Sequence, residues 1–243
     1  MAELAAVGDS SQVVDLACGS GLITRVLLSQ LGPNGSIVGI DLCPGMLAHA
    51  KSTVQDARVA WHEAEATDLP LADETVDIVC CHQGLQFFSD QHAAVREIHR
   101  VLRPGGRVVI GVWGALGDNP EVAAMASAIG EFLGQDVGDA MTGPCRFPDR
   151  NERRSVLHEG DFVGIEVETV SKTAHHPNVR IAMDGQLAAL PIAATIDALG
   201  PERRAELLDR ICELLKPYTD DTGALSVPAC SNLAVATKQT GGV

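Results

Sequence analysis

Two acidic residues flank a glycine-rich turn, and each belongs to a short apolar run. Asp15 lies in Val13-Val14-Asp15-Leu16, the turn follows as Ala17-Cys18-Gly19-Ser20-Gly21, and Asp41 comes directly after Ser36-Ile37-Val38-Gly39-Ile40. Glycines at 19 and 21 allow the backbone to approach a ligand closely and leave the amides of the next helix free for polar groups. A carboxylate about 20 residues past such a turn has the spacing that accepts both hydroxyls of a ribose. The pattern therefore favours a ligand that contains a nucleoside.

The sequence of the same turn discriminates between two classes of cofactor. The dinucleotide fingerprint has a third glycine, and Thr24 stands at that position. This substitution counts against NAD, so a nicotinamide-dependent oxidoreductase is the weaker alternative. Asp15, upstream of the glycines at the carboxyl end of its strand, is better explained by a cofactor with an ammonium group.

The elements that must position these residues alternate along the first half of the chain. Five apolar runs are typical of strands covered on both faces: Val13–Leu16, Ser36–Ile40, Arg58–Trp61, Val76–Cys80 and Arg107–Val112. Helical patterns lie at Leu22–Leu31, Gly45–Val54 and His92–Leu102. We therefore predict an α/β fold, a doubly wound and mostly parallel sheet with helices on both faces. Its carboxyl edge carries the acids and the turn, as ligand sites in such sheets require.

The alternation changes after Trp113. Glu121–Leu133 is predicted to be a helix, Asp161–Ser171 a strand, and Val179–Lys216 two helices broken at Gly200-Pro201. Asn232–Thr237 is predicted as the antiparallel last strand of a seven-stranded sheet. The predicted organisation is a core at 1–113, a variable region with a helical cap at 114–229 that includes a strand near 161–171, and a closing strand and tail at 230–243.

Composition limits the partners. The chain has 243 residues with a net charge of -14, so its field repels phosphate backbones and anionic lipid heads. Aromatic residues make up only 3%, which leaves little material for base stacking. We therefore expect a small-molecule partner and neither nucleic acid nor a membrane.

Targeting and redox signals point to a cytoplasmic location. The chain has neither a run of about 20 apolar residues nor the basic start of a signal peptide. Its seven cysteines are an odd number and include no C-x-x-C pair. We expect reduced thiols and no metal site.

Five further segments accompany the first turn. The six together are Asp15-Leu-Ala-Cys-Gly-Ser-Gly21, Gly39-Ile-Asp-Leu-Cys-Pro-Gly-Met46, Glu65-Ala-Thr-Asp-Leu-Pro70, Thr75-Val-Asp-Ile-Val79, Gly84-Leu-Gln-Phe-Phe88 and Glu97-Ile-His-Arg-Val-Leu-Arg-Pro-Gly-Gly106. In this order and spacing, the run from Val13 to Trp113 resembles the core of the class I (Rossmann-like) S-adenosylmethionine-dependent methyltransferases. It is most similar to the group that includes the ubiquinone and menaquinone biosynthesis methyltransferases. The resemblance implies methyl transfer to a small, hydrophobic organic acceptor, with S-adenosylmethionine as cofactor and S-adenosylhomocysteine as product.

The resemblance also implies roles for residues of the first two motifs. Asp15, Gly19 and Gly21 match the positions around the methionine part of the cofactor. Asp41 matches the acid that accepts the ribose hydroxyls, and Met46 lies near the adenine. The cofactor-binding set also takes in three neighbours, Ala17, Ser20 and Leu42.

Later motifs complete this set. Glu65 matches the acid that accepts the adenine amino group, although the family more often has aspartate there, and Ala66 supplies a backbone amide. His82 and Gln83 follow the fourth strand, where donor and acceptor meet. Gln86 belongs to the same segment.

Catalysis by this family requires no protein nucleophile and no metal. An oxygen acceptor needs its proton removed, and His82 is the first candidate for the base, with His175 or His176 as the second. A carbon or nitrogen acceptor needs no base. Arsenite methylation is a further alternative, and it would require accessible cysteines beside the sulfonium, for which the chain offers Cys18, Cys81 and Cys145.

The amino terminus departs from the family pattern. Only Met1 to Gln12 precede the first strand, where relatives have a few tens of residues that fold over the donor. The alternatives are a lid supplied by a second subunit in a homodimer, a more open donor site, or a donor-binding protein with impaired or no activity. We expect Asn119–Phe147 and Val179–Tyr218 to form the cap over the donor.

Overall fold

The computed structural model describes residues 1–147 and 149–240, and these divide into two compact units. The first comprises Met1–Trp113, Phe147–Thr169 and the segment from Ser231 onward. The second comprises Gly114–Arg146 and Val170–Cys230. Phe147–Thr169, which the sequence pattern placed in the variable region, thus lies in the first unit. The end of the predicted tail, 241–243, lies outside the described residues.

Most elements of the first unit belong to alternating strands and helices. They are α1 (Ala2–Ala5), β1 (Gln12–Leu16), α2 (Leu22–Leu28), β2 (Ser36–Asp41), α3 (Pro44–Thr53), β3 (Val59–Glu63), β4 (Val76–His82), α4 (Gln91–Val101), β5 (Leu102–Trp113) and α7 (Arg150–Glu159). The second unit contains α5 (Pro120–Leu133), α6 (Gln135–Met141), α8 (Val179–Ala189), α9 (Ala193–Asp197) and α10 (Pro201–Leu214). Strands β6 (Phe162–His176) and β7 (Leu225–Lys238) contribute residues to both units.

The described residues form a seven-stranded sheet with the order β3-β2-β1-β4-β5-β7-β6. Strand β1 pairs in parallel with β2 and β4, and β5 pairs in parallel with β4. Strand β7 pairs with β5 in the antiparallel direction, from Arg107 opposite Thr237 to Trp113 opposite Ser231. The predicted fold class, including the antiparallel last strand, is confirmed.

Apolar side chains bury both faces of this sheet. Along β1, Val13 belongs to one buried cluster, whereas Val14 and Leu16 belong to the other. Since successive strand residues point to opposite faces, the two clusters lie on opposite sides of the sheet. Leu27 of α2 packs in the first cluster and Ile98 of α4 in the second.

Several elements differ from the sequence-based expectation, among them the unpredicted helix α6. Val179–Lys216 was predicted as two helices but contains three, α8, α9 and α10. Helix α8 ends at Ala189 because Leu190 precedes a proline and takes an extended backbone, ψ 149°. Strand β5 begins at Leu102, so Pro104-Gly105-Gly106 lies within a strand, next to a register irregularity between Val76 and Ile78. Helix α7 was not predicted, and it begins where Asp149 accepts a hydrogen bond from the Asn151 amide at 2.7 Å.

Close packing between β2 and β3 keeps position 39 free of a side chain. A Cβ on Gly39 would overlap two ring atoms of Trp61, and a Cβ on Gly21 would lie 3.0 Å from the same ring. Trp61 therefore packs over both the middle of β2 and the glycine turn. The ring is rigid, so an added methyl group forces it or the strand to move.

We predict that Gly39→Ala lowers the free energy of unfolding by about 1–3 kcal/mol, the usual range for overpacking a close-packed region. Gly45→Ala is the matched control, since a Cβ there has its nearest neighbour, the Cys43 sulfur, at 3.9 Å. The control should be neutral or slightly stabilising, because alanine suits the first turn of a helix better than glycine. Urea unfolding measures both, and equal stability of the two variants would contradict the packing argument.

Candidate functional site

A cavity of about 710 Å³ opens in the first unit, and its volume is in the range of small-molecule sites. The lining residues come from the carboxyl ends of β1, β2 and β4 and from the segments that follow β1, β2, β3 and β4. Strand β1 lies between β2 and β4 in the sheet. The chain reverses its direction of winding there, and ligands of doubly wound sheets bind at that point.

The structure brings the predicted site residues together. All but one of the twelve predicted cofactor-binding residues line the cavity: Asp15, Ala17, Gly19, Ser20, Asp41, Leu42, Met46, Glu65, Ala66, His82 and Gln83. The exception is Gly21, which is buried beneath Trp61 at the start of α2 with φ 75°. Gly21 thus shapes the glycine turn and does not line the cavity.

The glycine turn is held by backbone hydrogen bonds. Ala17, Gly19 and Gly21 have φ values of 55°, 52° and 75°, in the left-handed region that glycine adopts most easily. The Cys18 amide donates to the Ile40 carbonyl at 3.0 Å, which fixes the turn to β2. Ala17 adopts its conformation although it has a side chain, and such exceptions cluster at functional sites.

Asp41 connects the glycine turn to the start of α3. One carboxylate oxygen accepts the Gly19 amide and the other accepts the Cys43 amide, each at 2.8 Å. A carboxylate has about four acceptor positions, so two remain for other donors. Asp41 is half-buried and lines the cavity, which leaves those positions available to a ligand.

Asp15 is buried, with 1% of its surface exposed. Its Oδ2 accepts a hydrogen bond from the Thr24 hydroxyl at 2.6 Å, and the Thr24 amide donates to the same carboxylate. Burial raises the pKa of Asp15 to about 7, against the opposing effect of the Thr24 hydrogen bonds. The sequence pattern showed Thr24 only as a missing glycine, and its contact with the acid was not predicted.

The cavity wall has an excess of negative charge. Asp15, Asp41 and Glu65 line it, and no lysine or arginine does so among the residues that the structure describes. Glu65 is exposed, and the Thr67 hydroxyl lies 3.4 Å from its Oε2. The wall therefore favours a ligand with positive charge.

His82 and Gln83 form the wall at the end of β4. Burial and the nearby Met1 amino group lower the pKa of His82. Its Nδ1 is buried against Gly111 and has no hydrogen-bond partner among the described residues. Gln83 has φ 60°, its amide donates to the Gly111 carbonyl at 2.7 Å, and its Oε1 accepts from Gln86 at 3.0 Å.

Apolar side chains surround the opening of the cavity. Leu22, Leu42, Met46 and Phe87 all line it while remaining 49–61% exposed. Large apolar groups that stay exposed around a cavity are typical of ligand sites.

The two other predicted candidates for a base lie in the second unit. His176 Nε2 lies 2.9 Å from Glu121 Oε1, and both side chains are largely buried. His175 Nδ1 lies 3.0 Å from the Ser226 hydroxyl, which is an exposed contact. The second unit thus holds a partly buried histidine–carboxylate contact.

Comparisons with known proteins identify the domain. Residues 14–110 match the protein family described as "Methyltransferase domain". The arsenite methyltransferase of Halobacterium salinarum is 28% identical over 203 residues, 82% of this chain and 49% of that protein. A demethylmenaquinone methyltransferase of Thermus thermophilus is 38% identical over 101 residues, 41% of this chain and 46% of that protein. The chain thus spans less than half the length of these relatives.

One solved structure illustrates the shared fold. Phosphoethanolamine N-methyltransferase 2 of Haemonchus contortus was solved with phosphomonomethylethanolamine and S-adenosylhomocysteine. It superposes with a TM-score of 0.60 at 19% identity, over 95% of this chain and 49% of that one. The likeness shows that the two chains share one fold.

The raised pKa of Asp15 predicts how stability varies with pH. Between its usual value of 3.8 and its folded value of about 7, the folded state binds the proton more tightly than the unfolded state. The contribution of Asp15 to stability is therefore largest below pH 4, falls as the pH rises, and is lost above pH 7. The full change is on the order of 4 kcal/mol.

Asp15→Asn should remove this contribution. We predict that the difference in unfolding free energy between wild type and Asp15→Asn changes steadily from pH 4 to pH 7 and is constant above pH 7.5. Urea titrations across this range measure it. A difference independent of pH would show that Asp15 titrates normally.

Proposed function

We propose that this chain, which carries a methyltransferase domain in residues 14–110, binds S-adenosylmethionine in the cavity and transfers its methyl group to a small organic acceptor. The charge of the cavity wall carries this proposal. S-adenosylmethionine has a sulfonium and an ammonium group, which suit three carboxyl groups without a lysine or arginine among the described lining residues. NAD has an anionic pyrophosphate, which the same wall repels.

The residues divide into three contact regions in this proposal. Asp41 accepts the ribose hydroxyls with the acceptor positions that its two amide hydrogen bonds leave free. Glu65 and Ala66 meet the adenine edge, with Leu42 and Met46 against the ring. Asp15 and the turn at Ala17, Gly19 and Ser20 receive the methionine part.

When bound, S-adenosylmethionine supplies an electrophilic methyl group on a positively charged sulfur. The chain contributes by holding the reacting groups in line and by limiting access of water. Apolar groups at the opening, such as Leu22 and Phe87, serve the second task. Low polarity favours the step because charge on sulfur disappears during it.

His82 is the proposed base where the acceptor is an oxygen. Its lowered pKa keeps the imidazole neutral at pH 7, so it can accept a proton. Because Nδ1 is buried against Gly111, Nε2 is the nitrogen that accepts the proton.

We predict that His82→Gln lowers kcat for an oxygen acceptor by about 10²–10⁴-fold and barely changes kcat for a carbon or nitrogen acceptor. Steady-state kinetics with acceptors of each type test this.

Arsenite, the substrate named for the Halobacterium relative, is a poor fit to the cysteines near the cavity. Cys18 and Cys81 are buried, and burial raises the pKa of Cys81 to about 12 and that of Cys18 still further. The thiolate is the form that binds soft metals and metalloids. We therefore favour an organic acceptor.

Three further predictions from the sequence remain open. We expect Asn119–Phe147 and Val179–Tyr218 to cover the donor, the protein to form a homodimer or else to bind the donor weakly as a monomer, and the protein to work in the cytoplasm. None of the helices in the described part of the chain is long and apolar enough to cross a membrane. Light scattering with donor titration at several protein concentrations tests the homodimer, since a dimer that completes the site binds more tightly as concentration rises.

Calorimetric titration of the whole chain with S-adenosylmethionine, S-adenosylhomocysteine and NAD tests the proposal directly. We expect binding of the first two and none of NAD. Transfer of a labelled methyl group to a panel of quinols, phenols, amines and carboxylic acids then identifies the acceptor class. Binding of NAD alone would favour an oxidoreductase, and donor binding without transfer to any acceptor would favour a non-catalytic binding protein.

We predict that Asp41→Ala weakens donor binding by about 1–3 kcal/mol, since ribose hydroxyls lose a charged partner. The dissociation constant should rise about tenfold or more. Glu65→Ala should have a smaller effect, because Ala66 keeps its backbone contact with the adenine. Calorimetry measures both constants, and circular dichroism verifies folding. An unchanged constant in folded Asp41→Ala would remove Asp41 from the site.

A further inference from the structure

Among the residues that the structure describes, no cationic side chain pairs with Asp15. Asp15 lies opposite Gly39 of β2 and Cys80 of β4 in the sheet. The titratable groups that influence it or respond to it are Asp41 at the end of β2, Cys18 in the turn, and Cys80 and Cys81 of β4. All of these are acids. Their effect on Asp15 is therefore repulsive or neutral.

Thr24 is the one side chain that donates a hydrogen bond to Asp15 among the described contacts. Thr24 is itself completely buried in the first turns of α2. A hydrogen bond to a carboxylate favours its ionised form, whereas burial favours the neutral form. Whether Asp15 is protonated therefore depends on the balance between its burial and its hydrogen bonds. Thr24 provides the side-chain hydrogen bond that stabilises the ionised form.

We propose that Thr24 is a positioning residue that holds the Asp15 carboxyl group toward the cavity, and that binding of a cationic donor removes a proton from Asp15. This inference rests on the proposed function, because the ammonium group of the donor is the cation. In the protonated fraction of the free protein, the O–H bond of Asp15 breaks on binding and the proton passes to the buffer. The carboxylate then pairs with the ammonium group.

The pKa of Asp15, raised to about 7, places this exchange in the neutral range. Below that pH the donor must displace a proton, so its affinity falls about tenfold for each unit of pH. Above it, Asp15 is already ionised and the affinity is constant. The affinity profile thus reports the state of Asp15.

Thr24→Val tests the role of the hydroxyl, because valine fills the same buried volume without a donor. Loss of a hydrogen bond to a charged group shifts a pKa by roughly one to two units. We expect the midpoint of the affinity profile to move upward by that amount. Thr24→Ser is the matched control, since it keeps the hydroxyl, and its midpoint should stay with the wild type.

Calorimetry with S-adenosylhomocysteine in two buffers of different ionisation enthalpy counts the protons released. Wild type should release a fraction of a proton at pH 7, Thr24→Val a larger fraction, and Asp15→Asn none. The analogue 5′-methylthioadenosine lacks the amino acid part and should release none. Binding to wild type without proton release from pH 6 to 8, or an unshifted midpoint in Thr24→Val, would overturn the inference.

A measurement without ligand separates this inference from the proposed function. In urea unfolding, wild type should lose no further stability through Asp15 above pH 7.5, whereas Thr24→Val should continue to lose it to a higher pH. If S-adenosylhomocysteine fails to bind, the proposed function and the donor coupling both fail. The unfolding profiles would still show whether Thr24 controls Asp15, and identical profiles for Thr24→Val and Thr24→Ser would overturn that part too.

Discussion

Hydrogen bonds compensate part of the negative charge of the cavity wall, and no lysine or arginine lines the wall among the described residues. Asp41 is half-buried and receives two backbone amides, whereas Asp15 is fully buried and receives the hydroxyl and amide of Thr24. Hydrogen bonds compensate a buried carboxylate only in part. A positive charge or further hydrogen-bond donors would therefore stabilise each acid. The position of the two acids beside the glycine turn thus determines that the cavity favours a cationic ligand.

The sheet makes such an arrangement possible. Parallel strands β1, β2 and β4 bring their carboxyl ends to one edge, where side chains from distant parts of the sequence meet in one cavity. Trp61 packs against both β2 and the glycine turn, and the Asp41 carboxylate holds Gly19. The turn is thus fixed from two sides before any ligand binds, which reduces the entropy lost on binding.

Sequence patterns predicted the parts of this structure that depend on local signals. Nearly continuous apolar runs such as Val76–Cys80 indicated buried strands, and the spacing of the motifs predicted that Asp41 and Glu65 lie at one cavity. Side-chain contacts that form only when the elements pack together were not predictable from the sequence. Thr24 looked like a missing glycine because its hydrogen bond to Asp15 forms only when α2 packs beside β1. Helix α7 was missed because half of its ten residues are charged, although Val156 and Leu157 bury its inner face.

A crystal structure of the chain with S-adenosylhomocysteine would show whether the acidic wall of the cavity receives the cationic end of the donor. The ribose hydroxyls should lie within hydrogen-bond distance of Asp41, the adenine beside Met46 and Ala66, and the ammonium group on the side of Asp15. Binding of the ligand outside this cavity, or with its carboxylate against Asp15 in place of its ammonium group, would rule out the proposed role of the acidic wall.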